Sequence, residues 1–477
     1  MPITTHQPLK IALVICLSLV LVAMLWFLLN PFKKSNELEG LRYIGASAGR
    51  MMERHLEFYE GYEESSILER ALHEFLFGSR ERVQQEALHA YEEVLNFLEQ
   101  HPDTATPWAT LNTRARWLIT VAELQDKESL LKALAKFDNN PEEEVIAEAV
   151  KFAYLDDYQG FTPEIFTGAT MVPTGWAKDR LRLRINTKLN KPYFINFFNE
   201  QLKRNGKRLR QHLLQMALAI VLVIITGLYM MIRYRVFYIR SPWSSNLNDK
   251  PWPTLDGLLI ALLAALSGLL IWLGLHLIST QYFRPNFFTM WSTLFASIPM
   301  LWLIHRYLLK PRGQNLISAF GLNLNRYNFL PFLTITGSLL ALELSGLMLI
   351  GWGTWKLGLE SHWASGIQER LVFGQTDIVI FSMINVVIWA PIFEEIGFRG
   401  LLYTTLRSRL TPTVAIVLSA IIFSALHLKS LHTFLSIFWS GLILAYAYER
   451  YRSLLPGMVI HGVGNIIYLS TILLFYR

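Results

Sequence analysis

From Leu213 to the C-terminus the chain runs through apolar blocks about as long as a bilayer is thick, joined by short polar connectors. The blocks read as spans at about 213–236, 255–279, 286–309, 329–352, 376–405, 412–428, 432–449 and 455–475. Residues 11–30 add another, between Lys10 and Lys33-Lys34. Hydrocarbon offers backbone N–H and C=O groups no partner, so a crossing segment must satisfy them internally, and a helix of about 20 apolar residues does so. The hydrophobic fraction, 52%, is that of an integral membrane protein. The expected fold is all-α: a polytopic helical membrane protein of about nine transmembrane helices, with a soluble α-helical domain inserted after the first span.

The first span reads as an uncleaved anchor covering 1–33, because it lacks the short core and small-residue cleavage site of a signal peptide. Residues 34–178 are charged, with apolar positions at helical spacing such as Leu68, Ala71, Leu72, Phe75 and Leu76. Further helices are expected over 80–99, 107–124, 127–137 and 141–154, broken by Pro102, Pro107 and Asn139-Asn140-Pro141. Ala87–Pro102 resembles the second helix of a tetratricopeptide repeat, but no second copy follows at that period. No catalytic constellation is visible here, so the region reads as a spacer or regulator compatible with a protein partner. Residues 179–211 carry Arg180, Arg182, Arg184, Lys203, Arg204, Lys207, Arg208 and Arg210 among Tyr193, Phe194, Phe197 and Phe198. Beside a membrane span this composition points to lipid headgroups rather than nucleic acid. The net charge of +7 has the same explanation, since most of the excess flanks apolar blocks. The four segments are thus 1–33, 34–211, 212–352 and 353–477. The single cysteine, Cys16, leaves no intrachain disulfide or cysteine metal site.

Cations in the short loops, such as Arg233, Arg235, Arg306, Lys310, Arg407, Arg409, Arg450 and Arg452, lie on one side of the alternating topology. Short loops weigh most in orientation, so that side is expected to be cytoplasmic and the soluble domain outside it.

Three polar motifs interrupt the last spans. Pro391-Ile-Phe-Glu-Glu-Ile-Gly-Phe-Arg-Gly400 carries Glu394, Glu395 and Arg399. Each ionisable group at membrane depth costs roughly 2.5–3.5 kcal/mol on insertion scales, so three within six residues need a reason. On a helix Glu395 and Arg399 can pair, while Glu394 is turned about 100° away and can face a different surface. Phe423-Ser-Ala-Leu-His427 ends an apolar run in a histidine, and His461-Gly-Val-Gly-Asn465 puts a histidine and an asparagine on one helix face. Gly397, Gly400, Gly462 and Gly464 permit close helix approach. Singly, each motif reads as a salt bridge or an interhelical hydrogen bond. Together they offer the groups of hydrolysis: a carboxylate to activate water, a histidine to share its proton, and donors for an oxyanion. The same glutamate and two histidines can alternatively hold zinc with a bound water. Neither His-Glu-x-x-His nor Gly-x-Ser-x-Gly occurs. Three further polar residues within spans, His276, Glu343 and Asn385, lie outside the motifs; Glu343 reads either as cavity lining or as a structural hydrogen bond.

Glu-Glu-x-x-x-Arg, Phe-x-x-x-His and His-x-x-x-Asn on successive late helices resemble the CPBP family: the CAAX prenyl endopeptidases of the Rce1 type and the bacterial Abi and bacteriocin-immunity proteins. The resemblance covers about 375–470 and not residues 1–211. It implies an intramembrane endopeptidase, metallo- or glutamate-dependent, in which Glu394 activates water with His427 as its partner. His461 and Asn465 would contact the oxyanion or a metal, and Glu395 and Arg399 would orient Glu394. Zinc, if used, would be held by Glu394, His427 and His461; a metal-free glutamate mechanism stays equally open. The implied substrate is a membrane-embedded or lipid-linked peptide or protein, and the expected location is a bacterial plasma membrane. The competing readings are a transporter or proton relay, which would show inverted repeats not visible here, and a non-catalytic immunity or scaffold protein.

Overall fold

The computed structural model describes residues 7–29, 37–41, 43–137, 140–158, 160–238, 252–282, 285–323, 328–359, 361–366, 368–427 and 430–477. The described regular elements are all helices. Two compact units emerge: Met1–Lys34 with Ala219–Ser361 and Phe373–Ser470, and Ser35–Leu218 with His362–Val372 and Thr471–Arg477. Lys33, Lys34 and the side chain of His276 lie outside the described residues.

Seven described helices are long and apolar enough to cross a membrane: Gln7–Met24, Pro192–Arg233, Thr254–Leu275, Phe329–Lys356, Thr376–Arg407, Leu431–Tyr451 and Leu455–Tyr476. Two of the nine expected spans fall outside this set. Pro412–Ala425 is helical for only 14 residues, short of the length a bilayer asks for. Pro285–Leu303 holds Pro299 inside it, and many side chains of its first half lie outside the described residues. Thr376–Arg407 is one continuous helix that widens twice into π-helix, at Asn385–Trp389 and at Glu395–Tyr403. π turns are rare and gather at functional sites. Here they bracket Pro391 and carry Glu395 and Arg399.

In the second unit the expected helices fall at Arg80–Gln100, Pro107–Leu124, Lys127–Ala135 and Pro141–Tyr154. The side chains of Ser79, Thr106, Asp126 and Asn140 each accept a backbone N–H of the first turn, which is why the breaks lie where they do. Pro107 and Pro141 occupy first helical positions, where a missing N–H costs nothing. Tyr91, Leu118, Ile119, Phe137, Ile146 and Val150 form the fully buried centre.

Half of the basic run turns inward on its own unit. Arg180 makes a bidentate bridge to Glu60 and Arg184 another to Glu123. Lys203 pairs with Glu64, and Arg210 donates to the carbonyls of Phe58, Glu60 and Gly61. Four of the eight cations thus serve the domain's own carboxylates and carbonyls, a partner set invisible in a linear reading.

Candidate active site

The first motif supplies one locked acid and one free acid. Glu395 and Arg399 are 0% and 1% exposed, and Arg399 Nη1 donates to Glu395 Oε1 at 2.9 Å. Arg399 also donates to the Gly441 carbonyl at 3.4 Å and lies 4.4 Å above the ring of Phe423. A buried charge persists only when paired and hydrogen-bonded, and this one is. Glu394, one residue earlier, keeps 27% of its side chain open.

Both acids meet the same ring. His461 Nδ1 lies 3.2 Å from Glu395 Oε1, and His461 Nε2 lies 3.8 Å from Glu394 Oε2. The turn between neighbouring glutamates therefore brings them to opposite nitrogens of one imidazole rather than to separate surfaces. Each nitrogen faces a carboxylate oxygen, so both are placed to donate.

Asn465 has a local reason to be an asparagine. Pro391 has no N–H to offer the carbonyls of the preceding turn, whether the helix pairs them four or five residues apart. The Val386 carbonyl accepts instead from Asn465 Nδ2 at 2.8 Å. The Val387 carbonyl stands where a Cβ on Gly462 would come within 3.0 Å, so only glycine lets this helix approach so closely. Asn465 retains a second amide hydrogen for other work.

The second motif is held by its own phenylalanine. His427 lies just past the helix Pro412–Ala425, and its Nδ1 is 2.8 Å from the Phe423 carbonyl. A carbonyl can only accept, so Nδ1 carries the hydrogen and Nε2 is left as the acceptor. The Phe423 ring is 5.0 Å from that of His427, 6.3 Å from that of His461 and 4.8 Å from that of Phe398. With Arg399 above its face, Phe423 touches all three motifs. Among the described residues, no three His, Cys, Asp or Glu side chains converge to hold a metal. As placed, Phe423 packs against both histidines and His427 spends Nδ1 on a carbonyl.

Phe423 heads the second motif, but nothing in its apolar surroundings marks it as the ring that meets the other two. Glu343, a lone acid in an apolar helix, is the signal that sequence does carry. It is 4% exposed and lies within electrostatic reach of His461, Glu395 and Arg399. Asn385 is the other motif-free polar residue here, and its buried Oδ1 has no hydrogen-bond partner among the described residues.

Comparison with known proteins falls on this part of the chain. Neither a curated protein nor a solved structure matches. A family model described as type II CAAX prenyl endopeptidase Rce1-like matches residues 376–467, a stretch that holds all three motifs. The segment 376–467 is therefore similar to the Rce1-like type II CAAX prenyl endopeptidases, over about a fifth of the chain.

Proposed function

We propose that residues 376–467 form the centre of an intramembrane endopeptidase that hydrolyses a peptide bond in a membrane-embedded or lipid-linked peptide or protein. The observation that carries this reading is the division of the acid pair: Glu395 is neutralised by Arg399 at 2.9 Å, while Glu394 stays half-open and faces His461 Nε2. A partly open carboxylate facing an imidazole nitrogen is placed to take a proton from water.

In this reading Glu394 accepts a proton from water as the water oxygen bonds to the scissile carbonyl carbon. The carbonyl π electrons move to oxygen, and His461 Nε2 and the second amide hydrogen of Asn465 donate to that oxyanion. His427 Nε2 accepts from the attacking water and keeps it oriented. The tetrahedral intermediate then collapses: the C–N bond breaks, and Glu394 returns the proton to the departing amine. Glu395 and Arg399 orient His461 and touch no substrate. In this reading every proton is moved by Glu394 and oriented by the two histidines and Asn465.

The bilayer is the working solvent, and the soluble domain is assigned to the outer face of a bacterial plasma membrane, with a protein partner as its ligand class. The test is cleavage of quenched-fluorescence membrane peptides, including a farnesylated one ending in a CAAX sequence, by the full-length protein in detergent. Glu394→Gln is expected to lower kcat by about a hundredfold to ten-thousandfold. His427→Ala should also be impaired. Wild-type cleavage that survives both changes would place the centre elsewhere.

A further inference from the structure

The helix Leu455–Tyr476 carries glycines at 457 and 464, with His461 between them. These three positions share one helix face. A buried carboxylate oxygen stands against each glycine: Glu395 Oε2 would be 3.1 Å from a Cβ at 457, and Glu343 Oε2 4.0 Å from a Cβ at 464. Neither oxygen has a hydrogen-bond partner among the described residues. Glu395 is explained by Arg399. Glu343 is not.

A structural role accounts for half of the Glu343 side chain. The Ser440 hydroxyl hydrogen-bonds its carboxylate, and Trp439 Nε1 donates to its backbone carbonyl at 3.1 Å. For that task alone a glutamine would serve, without an ionisable group at a depth where each costs several kcal/mol. An unpaired buried acceptor adds to that cost. What a glutamate provides and a glutamine does not is charge. The groups that feel it are His461, Glu395 and Arg399.

We propose that Glu343 is a positioning residue of the Glu394–His461 centre. Glu395 and Glu343 flank the imidazole along its own helix face, and the charge of Glu343 acts through the ring to keep Nε2 aimed at Glu394. Glu343 touches neither substrate nor water. This inference rests on the peptidase reading of 376–467 for its consequence, but not for its geometry.

The experiment uses the full-length protein in detergent and the farnesylated CAAX peptide as probe. Glu343→Gln preserves volume and the Ser440 bond; Glu343→Asp preserves charge. Glu343→Gln is expected to lower kcat about tenfold or more with KM unchanged and apparent Tm equal or higher, and Glu343→Asp to recover part of the loss. Wild-type kcat in Glu343→Gln would overturn the proposal. A wild type that cleaves nothing would defeat the peptidase reading instead. Glu343 is then decided by the rate at which diethylpyrocarbonate modifies His461, followed by peptide mass spectrometry. A ring held against Glu395 and Glu394 keeps its nitrogens from the reagent, so about threefold faster modification in Glu343→Gln, where that hold is loosened, supports the proposal. An equal rate overturns it.

Discussion

His461 Nδ1 approaches Glu395 Oε1 at 3.2 Å, the same oxygen that accepts from Arg399 Nη1 at 2.9 Å. One oxygen thus ties the arginine of the first motif to the histidine of the third. Breaking a buried pair by removing one partner typically costs 3–5 kcal/mol, because the other charge is left uncompensated, whereas replacing both by apolar groups can be neutral. Arg399→Leu and Glu395→Leu should each lower the apparent Tm in detergent sharply, and the double variant should be more stable than either single one. All three should lose peptidase activity, since none orients His461. Additive losses of stability in the double variant would mean that the pair is not coupled as its geometry says.

How much of this could be read from the chain depends on contrast. Glu394, Glu395, Arg399, His427 and His461 stand out because polar groups are costly in apolar helices. That same contrast marks Glu343 but does not say what it faces, since its partners come from Ser440, His461 and Arg399 on other helices. Phe423 has no contrast at all, although its ring meets Arg399, His427 and His461. The π turns at 385–389 and 395–403 are equally hidden, because a register change leaves the apolar pattern intact. In the second unit the breaks at Pro107 and Asn140-Pro141 were legible, while the inward turn of Arg180, Arg184, Lys203 and Arg210 depends on carboxylates and backbone carbonyls more than 60 residues away in sequence.

The described residues of 362–372, which lie between two expected spans, belong to the second unit. Glu93 accepts from His362 Nε2 at 2.8 and 2.9 Å and from Trp363 Nε1 at 3.0 Å. Ala364 packs with Leu38, Ile44 and Phe97, and Glu369 accepts from Ser47 Oγ at 2.6 Å. Removing the Glu93 carboxylate strands two donors, at about 1–3 kcal/mol if they stay buried. Glu93→Ala should therefore speed amide hydrogen exchange across 362–366 by about tenfold in the intact protein, with exchange in the Arg80–Gln100 helix little changed. Unaltered exchange at 362–366 would show that the strap is held by its apolar residues alone.

Burial in the soluble unit sets two opposed pH responses. His55 and His73 are pushed down to about 4 by burial, His73 lying 2% exposed and stacked 4.4 Å from Phe58. A depressed histidine leaves the folded state unprotonated where the unfolded state is charged, so its stability is lost as pH falls from 6.5 towards 4. Burial pushes Glu53 up to about 7, against Arg116 at 3.4 Å and the Ala177 N–H at 3.3 Å. Its contribution is present at low pH and lost as pH rises from 4.5 towards 7. Comparing variant with wild type isolates each group from the domain's other carboxylates. His73→Phe should gain relative stability on acidification, by roughly 1.4 kcal/mol per pH unit at most, and Glu53→Gln should gain it on going to neutral pH. Hydrogen exchange of residues 44–77 between pH 4 and pH 8 in the intact protein measures both, and parallel curves for variant and wild type would refute the assignment.

The asparagine of the third motif and the proline of the first form a pair that a double-mutant cycle can expose. Asn465 Nδ2 donates at 2.8 Å to the Val386 carbonyl, which Pro391 cannot serve. In the wild-type background Asn465→Ala leaves that buried carbonyl without a donor and should cost about 1–3 kcal/mol. Pro391→Ala returns an N–H to the turn, so the carbonyl gains a partner within its own helix. Asn465→Ala should then be nearly free in stability, giving a coupling energy of about 1–2 kcal/mol between the two sites. Activity should respond differently. If Asn465 also donates its second hydrogen to the oxyanion, Pro391→Ala cannot rescue turnover even where it rescues the fold, and kcat of the double variant should stay as low as that of Asn465→Ala. Recovery of both together would reduce Asn465 to a donor for the carbonyl that Pro391 leaves free and leave the oxyanion to His461.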